Sequence, residues 1–319
     1  MELYPFRLKP IYDRTIWAGE RLRHYRSDAP QGCGTSWEVS VHPHAQSVIE
    51  NGPLAGRLLK DVMEQYPVEA LGTDCTMNDL IRLAFLDAGE SLSVQVHPDE
   101  DYAELHEHDH GKTEAWYILE AAEGATLVAG TDLSTKLELR QALAEGTIMR
   151  HLRQVPVKRG DFICIEAGTL HALGAGILAI EIGTNSNVTY RFYDYDRRDS
   201  EGHGRQLHLK ESFDVVRMDQ KADAIHAPYE HPEADMTLLE HPEFCVHLHD
   251  ISGAFTLKSD GRSYRILSNM GSDAKIFFHE KMISFKAADS VFVPAQCGEI
   301  TIRGNTRILV SNVNKNKIV

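Results

Sequence analysis

The sequence predicts a mainly β protein, folded as a sandwich or barrel and not as a βαβ sheet. Three observations carry that expectation. From Leu92 onward, short apolar and β-branched runs recur at close spacing, divided by turn residues. Helical signals are few. A chain of 319 residues, 42% of them hydrophobic, is large for one core and comfortable for two, so two domains are expected.

The elements follow in order. The stretch 58–71 is a weak helical candidate, and about 58–90 is read as a helical elaboration. Runs at 115–120 and 125–129 flank Glu123-Gly124, a hairpin turn signal. Ser134 followed by "TKLELRQALAE" and closed by Gly146 predicts a capped helix with Leu139, Ala142 and Leu143 on its apolar side. "GDFICIEAG" at 160–168 alternates and ends in Gly168; "ILAIEI" follows at 177–182. Residues 208–218 are another weak helix, and 219–236, rich in Ala, His, Asp and Pro, read as a connection. Strands are then expected at 264–268, 275–279, 282–286, 290–294 and 299–303.

A faint internal repeat links the halves. "RGDFICIEAGTLHAL" at 159–173 lies over "AADSVFVPAQCGEIT" at 287–301 at an offset of 128. Asp161 falls on Asp289, Ala167 on Ala295 and His171 on Glu299. The expected division is a catalytic domain over 1–218 and, over 235–319, a related barrel that has lost its histidine.

Charge bounds the partners. The 47 acidic and 33 basic side chains leave a formal charge of −14, a surface that repels nucleic acid and anionic lipid. A small phosphorylated molecule in a local basic pocket fits better. Cys33, Cys75, Cys164, Cys245 and Cys297 are scattered without CxxC spacing, which argues against a disulfide framework and a thiolate metal site. The N-terminal "MELYPFRLKPIYDRTIW" lacks the order of a signal peptide, and no apolar run approaches the roughly 20 residues of a membrane span. A cytoplasmic protein with no membrane partner is expected; the oligomeric state is not readable from the sequence.

The chemistry-bearing residues emerge from strand phase. In "SVQVHPDE", a period of two places Ser93, Gln95 and His97 on one face and Val94 and Val96 on the other, until Pro98 ends the run. Alone, that polar face is the wet side of an edge strand. In the next strand Lys112, Glu114 and Trp116 share a face, and His171 follows the turn at Gly168. Gln95, His97, Glu114 and His171 offer two imidazole nitrogens, a carboxylate and an amide oxygen, a set suited to Zn²⁺. "HEHDHG" at 106–111, like His42 and His44, is read as solvated loop.

"GDFICIEAGTLHALG" resembles the second motif of the cupins, with Glu166 where that family usually has proline. "SVQVHP" followed by "GKTEAWY", with Gln95 in place of the first histidine of the common cupin motif, resembles the type I mannose-6-phosphate isomerases, in particular their short bacterial form. Ser36-Trp37-Glu38, the stretch 50–56 and "NSNVTYRFYDYDR" at 185–197 are similar too, so the likeness runs from about residue 3 to 215.

The resemblance implies two tandem cupin jelly-roll barrels and a zinc-dependent aldose–ketose isomerase. Its reaction would interconvert mannose 6-phosphate and fructose 6-phosphate through a cis-enediol. One Zn²⁺ would be held by Gln95, His97, Glu114 and His171. Ser93 and Lys112 fall on substrate-binding positions, Arg191 on the active-site arginine, and Glu181 on an acidic position of the same site. Where the family carries a lysine this chain has Ala84, and Arg82, on the same strand face, is read as supplying the missing charge. Glu181 is the first choice of general base; Lys112 and a metal-bound water are rivals, and a structural ion pair with Arg191 or Lys112 is its plain alternative. Two other classes share the barrel. One is an iron-dependent cupin enzyme, against which the amide of Gln95 counts. The other is a non-catalytic or differently specific metal-binding cupin for sugar phosphates.

Overall fold

A computed structural model describes residues 2–198, 201–227 and 235–314. Part of the expected connection (228–234) and the end of the expected second domain (315–319) lie outside the described residues.

Two antiparallel sheets enclose the first core. One has seven strands in the spatial order Ile225–His226, Asp161–Ile165, Glu114–Ala121, Ile177–Thr184, Ile81–Ala88, Cys33–Val39, Ile11–Arg14. The other has five, in the order Tyr190–Tyr193, Val94–Val96, His171–Ala172, Thr126–Thr131, Leu152–Pro156. Trp116, Ile118, Ile163 and Ala179 from the first sheet meet Leu127, Ala129 and Val155 from the second in one buried cluster. This is the packing of a jelly-roll barrel.

The seven-stranded sheet is covered on its other face as well. There Phe85, Tyr117 and Ile180 pack with Leu248, Phe292 and Leu309 of a third, nine-stranded sheet. That third sheet is built around two 15-residue strands, Phe244–Lys258 and Glu299–Val313. A strand buried on both faces loses its polar alternation. All eight residues of Ile81–Ala88 are buried. This corrects the helical elaboration expected to about residue 90. Its helices are Leu59–Gln65 and Pro67–Ala70, followed by a 3₁₀ turn at Met77–Asp79, and 81–88 is strand. An apolar run without a period does not distinguish the two forms.

The division into consecutive domains is also crossed by strand pairing. Phe6–Lys9 pairs with Ser290–Val293 and with Val48–Ile49, so the N-terminal strand completes the C-terminal sheet. Arg26, buried with its guanidinium bidentate on Glu38 at 2.7 Å, also donates to the Ala288 carbonyl. The expected helix near 134 spans Lys136–Ala144 and is capped by Thr135, because Glu138 completes a capping box with that residue. The 208–218 candidate is the helix Leu209–Val215. No helix among the described residues is long and apolar enough to cross a membrane.

Candidate metal centre and active site

Three strands bring the candidate donors together. His171 lies opposite Gln95 across one strand pair, and Glu114 enters the barrel at the start of its strand. His97 follows the Val94–Val96 strand directly, where Val94 and Val96 pack outward into a separate cluster. The period of two thus holds for Gln95 and His97, which turn inward.

His97, Glu114 and His171 are buried, and their ligand atoms all lie within 4.8 Å of one another. Each imidazole has its tautomer set by a backbone carbonyl. His97 Nδ1 donates to Val188 at 2.8 Å, and His171 Nδ1 donates to Thr169 at 2.8 Å. Both Nε2 atoms therefore present lone pairs, and they face each other at 3.1 Å. Glu114 adds its carboxylate, Oε2 at 3.4 Å from His97 Nε2 and Oε1 at 3.3 Å from His171 Nε2. Neither carboxylate oxygen has a hydrogen bond of acceptable geometry among the described residues. The side-chain amide of Gln95 lies 3.2 Å from His171 Nε2, and a half-turn of that amide presents its oxygen there. Lone pairs so placed repel one another, and a cation resolves the arrangement. The donor set fits a metal ion.

Charges alternate behind these donors. Lys112 Nζ is 2.7 Å from Glu114 and 3.4 Å from Glu181, and the Arg82 guanidinium pairs with Glu181. Arg82 also donates to the Ser186 carbonyl at 2.6 Å and lies over the Trp37 ring at 4.6 Å. The strand register explains this geometry. Trp37, Ala84, Glu181 and Trp116 face one another across adjacent strands, so the small side chain of Ala84 leaves room for the Arg82 head.

Burial lowers the Lys112 ammonium to about 8 against the opposing pull of Glu114. Burial, with the Lys112 charge, lowers His97 to about 3, which keeps its imidazole neutral. Burial alone would raise the Glu114 carboxyl, but the Lys112 charge opposes it and the carboxyl lies well below the usual range.

Arg191 lies opposite Gln95 on the neighbouring strand. Its backbone N–H donates to His208 Nδ1 at 3.0 Å and its Nη1 to the Gln206 carbonyl at 2.8 Å, while its buried Nε has no partner among the described residues. Ser93 is buried two residues before Gln95. Arg82, read from the sequence as a substrate contact, has its guanidinium taken up by Glu181, Ser186 and Trp37. Of the "HEHDHG" loop, Asp109 meets His42 at 3.3 Å and His110 meets Glu100 at 2.9 Å, and neither belongs to the donor cluster. Sequence reasoning missed Trp37 as the plate under Arg82 and the carbonyls of Val188 and Thr169 as orienters of the imidazoles. It also missed the arginines beyond Arg191; only their place in and after "YDYDR" hinted at them.

A model of the phosphomannose isomerase type I catalytic domain matches residues 5–142, and one of the mannose-6-phosphate isomerase cupin domain matches residues 234–313. The chain is 36% identical over 315 residues to the probable mannose-6-phosphate isomerase GmuF of Bacillus subtilis (strain 168), covering 97% of this chain and 99% of that protein. It is 35% identical over 317 residues to the mannose-6-phosphate isomerase ManA of the same organism, covering 98% and 100%. The crystal structure of the Bacillus subtilis mannose 6-phosphate isomerase superposes with a TM-score of 0.87 at 31% identity, covering 97% of this chain and 99% of that one.

Proposed function

From the premise that this chain belongs to the type I mannose-6-phosphate isomerase family, we propose that it uses Zn²⁺ to interconvert mannose 6-phosphate and fructose 6-phosphate through a cis-enediol. Gln95, His97, Glu114 and His171 hold the ion. The observation that carries the reading is the convergence of two imidazole lone pairs on a buried carboxylate, the three ligand atoms lying within 4.8 Å of one another. Nitrogen and oxygen donors without thiolate suit Zn²⁺. When bound there, the ion supplies Lewis acidity toward adjacent sugar oxygens.

The chain's own side chains do the remaining work. Glu181 takes the proton from the carbon beside the carbonyl and returns it to the neighbouring carbon. Both of its ion pairs fall on Oε1, which leaves Oε2 for that proton. Lys112, between Glu114 and Glu181, holds charge that develops on the sugar oxygen. Arg191 and Ser93 bind the substrate. Arg82, anchored on Trp37, positions Glu181. The chemistry lies within residues 1–218, and the described residues 235–314 support the sheet beneath it.

A coupled assay for conversion of mannose 6-phosphate to fructose 6-phosphate, with and without chelator, tests the reading. Activity lost on chelation and restored by Zn²⁺ is the expected result. Full activity in metal-free protein would remove the metal from the mechanism. A metal-loaded protein that binds the sugar phosphate without turnover would favour a non-catalytic cupin.

A further inference from the structure

We propose that Arg205, held in place by Asp194 and Arg197, joins Arg191 to form the subsite for the substrate's phosphate. The inference rests on the isomerase reading above and extends it to residues outside the donor cluster.

At the deep end of the site both side-chain cations are already paired. Arg82 and Lys112 are matched by Glu181 and Glu114, and all four side chains are 5% exposed or less. A phosphate dianion placed there would displace buried ion pairs and take Lys112 from the reacting oxygens. On the other side of Gln95 the balance is reversed. Arg191 has no carboxylate partner among the described ion pairs, and its buried Nε is unpartnered. Beside it stand two more guanidiniums and one buried carboxylate.

Arg205 places Nε at 2.8 Å and Nη2 at 2.6 Å on the two oxygens of Asp194. Arg197 reaches the same carboxylate at 2.6 and 3.1 Å and donates to the Ser91 carbonyl at 2.7 Å. Its other carboxylate, Glu90 at 3.8 Å, is well exposed and screened by solvent. Three guanidiniums against one buried carboxylate leave two positive charges, the complement of a phosphate monoester dianion. Mutual repulsion among them disfavours the empty arrangement; alongside burial, Arg205 and Arg197 oppose the charge on Arg191.

The backbone is shaped to hold this cluster. Tyr195 and Asp196 both sit at φ 54°, in the left-handed region, and the turn they make returns Arg197 to Asp194. Consecutive non-glycine residues there are strained and persist where function needs them. Arg205 keeps 27% of its side chain exposed. The cluster thus runs from the donor site at Gln95 toward solvent, and guanidinium pairs grip phosphate through two hydrogen bonds each. Binding at the unreactive end would orient the reacting carbons at the donor site.

The test is Arg205→Met in the full chain, with metal content measured first. The expected result is a KM for mannose 6-phosphate raised about tenfold or more with a smaller change in kcat, and inhibition by inorganic phosphate weakened in parallel. Arg205→Lys should recover part of both. Asp194→Asn, a positioning change, should show the same KM-against-kcat split, with Asp194→Glu recovering part. Metal-loaded Arg205→Met with an unchanged KM and unchanged phosphate inhibition would overturn the subsite. If the natural chain shows no isomerase activity, the functional reading fails, and calorimetric titration with inorganic phosphate still decides the subsite. Binding weakened by Arg205→Met supports it, and binding unchanged by Arg205→Met, or none to the natural chain, overturns it.

Discussion

Gly160 and Ala288 occupy matching turns in the two halves of the chain, both at positive φ, 90° and 62°. Each is followed by an aspartate whose carboxylate accepts the backbone N–H three residues back, Lys158 to Asp161 at 2.9 Å and Lys286 to Asp289 at 2.8 Å. Ten residues further on the halves part. The first half delivers His171 into the barrel, fully buried and 3.3 Å from Glu114. The second delivers Glu299 to the surface, beside Lys258 at 3.1 Å with both side chains more than half exposed. A shared strand–turn framework is therefore insufficient for chemistry. The metal centre needs donors from three strands converging on one point, and the second half carries the turn without the convergence.

That contrast can be broken most forcefully at Glu114. Glu114→Ala should lose both metal and turnover while the protein stays folded, because Lys112, deprived of Glu114, still has Glu181 at 3.4 Å. Full zinc occupancy by elemental analysis in that variant would refute the site. Arg191→Ala should retain metal and lower kcat/KM by about 10²–10³-fold, chiefly through a raised KM, because it removes a guanidinium that grips the substrate's phosphate. Near-normal kinetics would reduce it to a wall residue.

Glu38→Ala asks whether the second half serves as support. It strands the buried Arg26 charge at the link to Ala288, and breaking such a pair costs about 3–5 kcal/mol. Denaturant unfolding should show that loss while the folded fraction keeps its metal. An unchanged midpoint would show that the link contributes nothing. The smallest effect is expected for Glu299→His, which restores the histidine of the repeat. Metal stoichiometry should remain that of the natural chain, since the position is exposed and its neighbour at 3.1 Å is the cationic Lys258. An additional bound ion would show that the second half retains a latent centre.

Much of this was legible beforehand. The hairpin about Gly124, the strands 161–165 and 177–184, and the inward face of Gln95 and His97 follow from local periodicity and turn chemistry. The 81–88 strand was missed because both of its faces are buried, which erases the alternation that marks a strand. The long Phe244–Lys258 strand was missed too. It carries Gly253 at positive φ, a residue that reads as a break in a strand.

The sequence by itself determined the donor types, their order along the chain and the phase that turns each one inward, because side-chain direction repeats every two residues without reference to any partner. Only the tertiary structure decided which charges neutralise one another. Arg82 meets Glu181 and Trp37 because Ala84 leaves space between neighbouring strands, and Arg191 is left without a carboxylate because its strand pairs with that of Gln95. The N-terminal strand joins the C-terminal sheet for the same reason. Register between strands far apart in the chain is a property of the packed sheet, and no local pattern encodes it.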